Sequence, residues 1–338
     1  MPNRRNLPNN MNEFWRDEIE LASQLRDVSS LITASVEQSH LFVRTLLKSQ
    51  INNKGKYLRP ALVLIGAKLG NEDKMEEVKR IAGVIEMIHM ASLIHDDIID
   101  NGKTRRGLPT LNSLAGPKQA VLAGDYLLSK AMSLVGQQQG DLDTAAVSSA
   151  FSRLCESELE QDANVGNFFI SVNTYLRRIA GKTASLFALS AYAGAAVSLA
   201  DKKLQQKMHE IGYLMGMAFQ IQDDILDYDG DSYKMGKEIG RDLLCGIPTL
   251  PLLEAIEQEK ELPQKERKLH ALVSKKRVTK KHLSKAQKLV IELQGVTKAK
   301  QLALSYSKWA KKAISELNNG EVEEILLRLF GKLSQRNS

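Results

Sequence analysis

Residues 94–100 read Ile-His-Asp-Asp-Ile-Ile-Asp, and residues 221–227 read Ile-Gln-Asp-Asp-Ile-Leu-Asp. In each stretch the first and last aspartates are four residues apart, so on a helix they share one face, one turn from each other. Like charges placed there repel. Mg²⁺ relieves such repulsion, because it takes one or two carboxylates together with water and phosphate oxygens. The two motifs therefore predict a magnesium–diphosphate site on helices.

A solvated acidic helix face is the alternative interpretation of a single motif. Here both motifs follow apolar residues, such as Ile94 and Phe219. A carboxylate that emerges from a buried helix needs a partner to remain charged, which favours the metal site. The six carboxylates expected to bind metal are Asp96, Asp97, Asp100, Asp223, Asp224 and Asp227.

Helical periodicity predicts an all-α fold, a large antiparallel helical bundle. Apolar residues recur at helical spacing, and strand-like alternation is absent. We expect residues 1–13 to be a flexible N-terminal tail, with Met11 as an alternative start, and residues 14–332 to form a single domain. The uncharged stretch 183–200 barely reaches the length of a membrane span and is rich in Ala, Ser and Gly, so we expect a buried helix there. The segments with this spacing are 14–50, 59–70, 75–100, 117–135, 141–164, 170–200, 202–228, 247–257 and 296–314.

Composition narrows the function classes. The 338 residues carry a net charge of +7. The two cysteines form no CxxC pattern, which favours a protein of the reducing cytoplasm over a disulfide-stabilised protein. No secretory signal is recognisable at the N-terminus. Ten Lys or Arg lie between Lys265 and Lys288. We interpret this segment as a solvated helical surface, with an anionic membrane or an acidic partner as alternatives. No nucleic-acid-binding motif accompanies the charge, so we expect no nucleic-acid partner.

Basic residues follow or precede the acidic motifs in four places. Arginine and lysine suit phosphate oxygens, so these clusters complete a diphosphate site. Gly181-Lys182-Thr183 resembles the end of a P-loop, but Leu176 stands where that motif requires glycine. The four clusters contain Gly55-Lys56-Tyr57-Leu58-Arg59, Arg105-Arg106, Lys182 and Lys237.

The combination resembles the trans-isoprenyl diphosphate synthases, the head-to-tail prenyltransferases that make farnesyl, geranylgeranyl and longer polyprenyl diphosphates. The likeness covers residues 20–330. It implies a helical bundle around a central cavity, usually a homodimer, and about three Mg²⁺ ions per active site. The implied substrates are isopentenyl diphosphate and an allylic diphosphate.

The resemblance implies a role for each matching position. Asp96 and Asp100 would bind two Mg²⁺ ions and Asp223 the third, with the other three aspartates in support. Arg105, Lys182 and Lys237 would hold the allylic diphosphate. Thr183 and Gln220 would lie against the reacting carbons. The isopentenyl diphosphate site would comprise Gly55, Lys56, Arg59, His89 and Arg106.

Three positions depart from the usual family pattern. Lys54 replaces the first glycine of a Gly-Gly-Lys motif, and Tyr57 stands where a basic residue is frequent. Ile247 follows Gly246 where lysine is frequent. These departures affect the details of diphosphate binding.

Product length is predicted from the residues before Asp96. One isoprene unit is about as long as one helical turn, roughly 5 Å. Bulky aromatic residues one turn before the first motif stop growth in short-chain members of the family. Here Ala91 and Ser92 are small, and Ile88 is of medium size one turn further. We therefore expect about six to ten isoprene units, as in quinone side chains. Small residues that merely permit close helix packing are the alternative explanation.

Three alternatives share parts of this pattern. A short-chain geranylgeranyl or farnesyl diphosphate synthase differs only in where the tunnel ends. A terpene cyclase shares the first motif but does not need the cluster that contains Lys56 and Arg59. A catalytic subunit of a two-component polyprenyl synthase would need a small accessory subunit. Peripheral contact with a membrane during product release is a further expectation.

Overall fold

The computed structural model describes most of the chain and is helical almost throughout. This confirms the predicted all-α class. The described residues of Met1–Ala145 and Leu189–His209 form one compact unit, and those of Ala146–Ala188 and Glu210–Ser338 form a second. The single domain predicted for 14–332 stays a prediction. The described residues are 9–51, 55–105, 107–136, 144–228, 240–274 and 278–334.

The first unit is built around helix α5. In order, its elements are α1 Asn9–Phe14, α2 Ile19–Glu37, α3 Leu41–Ile51, α4 Leu58–Ala67, a 3₁₀ turn Glu72–Lys74, α5 Met75–Ile99, β1 Thr104–Arg105, β2 Leu108–Pro109, α6 Leu111–Ala115 and α7 Pro117–Gly136. Helices α2, α4 and α7 pack on α5. Burial of α5 on several sides explains its apolar sequence, in which Ile81, Val84 and Ile85 are fully buried.

The remaining helices are α8 Thr144–Ala163, α9 Val172–Ile179, α10 Ser185–Val197, α11 Lys202–Leu226, α12 Arg241–Cys245, α13 Leu250–Glu259, α14 Lys268–Val273, α15 Lys280–Glu292, α16 Gly295–Ser315 and α17 Gly320–Ser334. A π-helical segment, Ala180–Ala184, separates α9 from α10. A 3₁₀ turn, Gln264–Glu266, precedes α14. Helices α8, α10 and α11 each contribute residues to both units.

One apolar cluster organises the part of the second unit that carries the second aspartate motif. Tyr175 and Ile179 of α9 pack with Met217 and Ile221 of α11. Gly216 permits this packing, because a Cβ there would lie 2.7 Å from Cα of Ala184. The glycine therefore lets α11 approach the π-helical segment closely.

The N-terminal segment is more ordered than its polar sequence suggests. Residues 9–13 of the predicted tail belong to helix α1, and Met11 and Trp15 are each only 1% exposed. Both side chains join the core of the first unit, which explains why the chain is helical there.

Helix α5 ends in a hairpin that periodicity did not predict. Strands β1 and β2 pair antiparallel, with Thr104 opposite Pro109. Gly107 at the turn has φ +77°, a conformation that glycine adopts without strain. Across the described ranges, no helix combines the length and apolar character needed to span a bilayer.

Candidate active site

The two aspartate motifs occupy equivalent positions on two helices of equal length. Helices α5 and α11 have 25 residues each. Asp96 and Asp97 lie in the last turn of α5, and Asp223 and Asp224 in the last turn of α11. Carboxylates are unfavourable at a helix C-terminus, because the helix dipole is negative there. Both motifs therefore stand where a cation is needed.

Asp97 of the first motif is buried beside a cation. Its side chain and backbone are 5% exposed, and its Oδ1 accepts a hydrogen bond of 2.9 Å from Nε of Arg105. The hairpin after α5 brings Arg105 back to the helix, eight residues later. Asp96 is half-buried and Asp100 is exposed at the helix end. The first motif thus keeps its middle carboxylate paired with Arg105 and leaves Asp100 exposed at the helix end.

An open cavity lies beside α5 in the first unit. Gly55, Tyr57, His89 and Arg105 line it, together with Gln50, Ile51, Glu86, Met90 and Leu93. Nη1 of Arg59 lies 2.9 Å from Nε2 of His89. Gly55, His89 and Arg105, all assigned to diphosphates, therefore line one cavity, and Arg59 contacts His89.

Lys56 is held by the N-terminal aromatic residues. Its ammonium group lies 4.6 Å from the ring centroid of Phe14, and its carbonyl oxygen accepts a 2.7 Å hydrogen bond from Nε1 of Trp15. The next residue, Tyr57, has φ 53°, an uncommon conformation for a residue with a side chain. Burial raises the pKa of the Tyr57 hydroxyl to about 12, so this group stays neutral.

The residues assigned to chain length lie on another part of α5. Ala91 and Ile88 are buried, and the half-buried Ser92 donates to the carbonyl of His89. None of the three is among the residues that line the cavity beside α5. Their role in product length stays a prediction.

Asp224 of the second motif is as buried as Asp97, at 5% exposure, but its hydrogen-bond partners are neutral, and the charge of Arg178 only helps to lower its pKa. Tyr175 donates its hydroxyl to Oδ2 at 2.7 Å, and Gln220 donates Nε2 to Oδ1 at 2.8 Å. Thr183 in turn donates to Oε1 of Gln220 at 2.7 Å. Burial raises the pKa of Asp224 to about 6, although both hydrogen bonds to the carboxylate lower it. Thr183 and Gln220 are thus joined to each other and to the acidic motif.

Lys182 and Thr183 belong to the π-helical segment Ala180–Ala184, an irregularity that is frequent at functional sites. Nζ of Lys182 lies 2.8 Å from a carboxylate oxygen of Glu158 on α8. A Cβ on Gly181 would overlap Oγ of Ser157, so this glycine allows α8 to come close enough for that ion pair. The helical conformation also excludes the P-loop interpretation.

Asp227, the last aspartate of the second motif, and the nearby Asp242 belong to one acidic region. Asp227 accepts hydrogen bonds from the backbone N–H groups of Gly240, Arg241 and Asp242, at 3.0–3.2 Å. Burial raises the pKa of Asp242 well above its usual range, and the charges of Asp224, Asp227 and Asp223 raise it further. Four carboxylates therefore influence each other in one region.

Sequence reasoning missed Glu158, Tyr175 and Asp242. Glu158 and Tyr175 contact residues that are far away in the chain. Asp242 follows a segment without a recognised motif. Asp242 had one available signal, because it is an acidic residue shortly after the predicted basic Lys237. Arg106 and Lys237 lie outside the described residues.

The carboxylates fit a divalent cation. Among the described residues, no three His, Cys, Asp or Glu side chains are placed to hold a metal ion unaided. Mg²⁺ does not require such a group, because water and phosphate oxygens complete its coordination. Burial raises the pKa values of Asp224 and Asp242, and neighbouring carboxylates raise them further, an effect that a cation would oppose. Asp223 also borders a small open pocket.

Comparison with known proteins supports the predicted resemblance. The family model described as polyprenyl synthetase matches residues 41–290. A curated relative, heptaprenyl diphosphate synthase component 2 of Geobacillus stearothermophilus, is 38% identical over 206 residues, which is 61% of this chain and 64% of that protein. The matched regions of two other relatives amount to 58% and 62% of their lengths.

Two solved structures are similar over nearly the whole chain. A geranylgeranyl pyrophosphate synthase from Lactobacillus brevis has a TM-score of 0.87 and 32% identity, and the alignment covers 96% of this chain and 100% of that one. A polyprenyl synthase from Caulobacter crescentus, in complex with calcium and isoprenyl diphosphate, has a TM-score of 0.85 and 28% identity. That alignment covers 99% of this chain and 100% of the other.

Proposed function

The chain belongs to the polyprenyl synthetase family, and from this premise we propose that it is a Mg²⁺-dependent prenyltransferase that makes medium- to long-chain trans-polyprenyl diphosphates. The substrates are isopentenyl diphosphate and an allylic diphosphate. One observation carries the proposal: two aspartate motifs end helices of equal length, and each buries its middle carboxylate among specific partners. A structural helix end has no need for such duplicated machinery.

Metal binding would involve Asp96 and Asp100 for two ions and Asp223 for a third, about three Mg²⁺ in total. The Caulobacter crescentus structure with calcium and isoprenyl diphosphate supports a divalent cation together with a prenyl diphosphate. When bound, the metal would supply positive charge to a departing diphosphate. The remaining chemistry belongs to side chains of this protein.

Arg105 and Lys182 would bind and orient the allylic diphosphate. Both are held by carboxylates, Asp97 and Glu158, at 2.9 and 2.8 Å. Fixed cations stabilise charge as it develops without reorganising at the moment of reaction. The allylic carbon–oxygen bond would break, and the resulting cation would be attacked by the double bond of isopentenyl diphosphate.

Isopentenyl diphosphate would bind at the cavity beside α5. Gly55 and His89 line this cavity, and the guanidinium of Arg59 contacts His89. Lys56 and Arg106 are assigned to the same diphosphate by the family pattern. Holding both substrates at close range converts a bimolecular step into an effectively unimolecular one. The proton lost after condensation would pass to the departing diphosphate, so no protein base is needed.

Thr183 and Gln220 would stabilise the allylic cation with their side-chain oxygens. The hydrogen bond between them fixes both side chains, and Gln220 is fixed again through Asp224. A fixed dipole near developing charge lowers the barrier more than a mobile one.

A medium- to long-chain product is supported by the small Ala91 and Ser92 and by the named product of the Geobacillus relative. That relative's name also favours a second candidate, a catalytic subunit that works with a small accessory protein. A homodimer and a cytoplasmic location remain part of the proposal. Among the described residues, Cys155 and Cys245 are not joined in a disulfide, in keeping with a reducing compartment.

The purified chain should be assayed alone with Mg²⁺, farnesyl diphosphate and labelled isopentenyl diphosphate. We expect label in the lipid fraction, and loss of incorporation when a chelator removes Mg²⁺. Incorporation only after a candidate small subunit is added would favour the two-component enzyme. A folded chain that incorporates no label with or without such a subunit would contradict the proposed function.

A further inference from the structure

Helix α16 presents an unusual surface for a soluble helix. Within Gly295–Ser315 there are five lysines and no aspartate or glutamate. Lys300, Leu304, Lys308 and Lys311 recur at spacings of four, four and three, so they share one helical face. All four are exposed, with Leu304 at 60%. Trp309, which is 51% exposed, lies about 100° around the helix from Lys308, at the edge of the exposed half of α16.

This combination matches the chemistry of an anionic bilayer surface. Lysines near such a surface are attracted to acidic headgroups, while tryptophan and leucine enter the boundary between headgroups and acyl chains. Trp309 packs edge-on against the half-buried Tyr306, with ring centroids 5.1 Å apart, so the exposed indole is oriented by its neighbour. An acidic protein would also be attracted to the lysines, and a lack of preference for acidic vesicles would favour such a partner.

We propose that the surface of Lys300, Leu304, Lys308, Trp309 and Lys311 on α16 docks onto membranes that contain acidic phospholipids. The biological rationale rests on the proposed function, because a product of about six to ten isoprene units is an amphiphile that belongs in a bilayer. The docking itself depends only on charge and on exposed apolar side chains. It can therefore be tested without substrate.

The two tryptophans provide a direct probe. Trp15 is 1% exposed and Trp309 is 51% exposed, so a change of polarity outside the protein reaches mainly Trp309. Vesicles of phosphatidylcholine mixed with phosphatidylglycerol should shift the fluorescence of the full chain to the blue. Pure phosphatidylcholine vesicles should not, and Trp309→Phe should lose the shift.

The lysines are tested by Lys308→Gln combined with Lys311→Gln in vesicle sedimentation. Each lysine near an anionic surface contributes about fivefold, so the pair should weaken binding about 25-fold. The control is Lys202→Gln combined with Lys203→Gln, which removes the same charge from exposed positions on α11. Equal loss in both double variants, or no preference for acidic vesicles, would overturn the proposal. Either failure would leave the prenyltransferase assay unaffected.

A second inference concerns the N-terminal residues. Phe14 and Trp15 contact Lys56 through its ammonium group and its carbonyl oxygen, as described above. The two rings also meet edge to face, with centroids 4.9 Å apart. We infer that Phe14 and Trp15 are positioning residues for Lys56, and this inference rests on the proposed binding of isopentenyl diphosphate by Lys56.

Trp15→Phe keeps an aromatic ring at this buried position but removes the N–H donor together with the second ring of the indole, so folded yield must be checked. Loss of one hydrogen bond should raise the KM for isopentenyl diphosphate about fivefold. The KM for farnesyl diphosphate should not change, and Trp309→Phe provides the same substitution at an exposed position. A parallel change in both KM values would indicate a merely structural role and overturn the inference. Complete inactivity of the folded wild-type chain, with and without a small subunit, would instead contradict the proposed function.

Discussion

The ends of α5 and α11 carry the same aspartate spacing, yet they neutralise the middle carboxylate in different ways. Asp97 and Asp224 are each 5% exposed. Asp97 lies against the cation of Arg105, whereas Asp224 accepts hydrogen bonds from the neutral side chains of Tyr175 and Gln220. An ion pair keeps a buried carboxylate charged, but neutral donors only partly offset burial. The second motif is therefore the one that depends more on an added cation.

The largest expected effect concerns the first aspartate of each motif. Asp96→Ala and Asp223→Ala should each lower turnover by about 10² or more, because a carboxylate that binds metal is lost. Asp162→Ala, at an exposed position on α8, is the matched control and should retain normal turnover. Steady-state rates and circular dichroism would be measured for all three. Near-normal turnover in either motif variant would contradict the metal assignment.

Removing the partner of the middle carboxylate should destabilise the protein by different amounts at the ends of α5 and α11. Arg105→Met strands a buried charge and should lower the free energy of unfolding by about 1–3 kcal/mol, less than for a fully buried pair because Arg105 is partly exposed. Tyr175→Phe removes one neutral hydrogen bond and should lower it by about 1 kcal/mol. Urea unfolding without substrate measures both. Arg241→Met, at an exposed position, should change stability by less than about 0.5 kcal/mol.

The dependence of stability on pH should also differ. The pKa of the Asp224 carboxyl is raised to about 6 in the folded protein. Protonation of Asp224 therefore favours the folded state, and this contribution to stability is fully present below the unfolded pKa of the group and is lost as pH rises through 6. Without metal, Asp224→Asn should therefore gain stability over the wild type by about 1 kcal/mol or more at pH 8, and should gain nothing at pH 4.

Asp97→Asn is the matched variant at the first motif. It breaks the ion pair with Arg105 and should be less stable than the wild type at pH 8. Thermal unfolding across this pH range would compare the two. A gain for both variants, or for neither, would remove the proposed distinction between the motifs.

The smallest expected change in rate comes from substitutions that test product length. They test whether α5, and not α11, borders the growing chain. Ala91 and Ala218 stand five residues before the first aspartate of their motifs, and both are buried. Ala91→Phe should shorten the product, while Ala218→Phe should leave product length unchanged. Overpacking at either site costs about 1–3 kcal/mol of stability, so folded yield must be checked. An unchanged product distribution in a folded Ala91→Phe variant would count against the tunnel model.

Sequence patterns predicted the features that depend on local spacing. Periodicity predicted the helical class and the buried helix within 183–200, which is α10 in the structure. The predicted segments 75–100 and 202–228 also placed both motifs at helix ends. The hairpin that returns Arg105 to Asp97 was not predicted, since two-residue strands leave no alternation to detect. The N-terminal helix was missed because its polar sequence conceals the buried Met11.

The partners of the site residues were less predictable, because tertiary contact decides them. Tyr175 lies 49 positions before Asp224 in the chain, and Glu158 lies 24 before Lys182. Neither residue type indicates such a role by itself. Thr183 and Gln220 were assigned from family resemblance, but their mutual hydrogen bond depends on the close approach that Gly216 permits.

Chromatography of the dephosphorylated products tests the central claim most directly. The purified chain is incubated with Mg²⁺, farnesyl diphosphate and labelled isopentenyl diphosphate, and the labelled alcohols are separated by length. We predict products of about six to ten isoprene units. Labelled products no longer than geranylgeraniol would contradict the predicted chain length, and the absence of any labelled prenyl alcohol from folded protein, with or without a small subunit, would contradict the account as a whole.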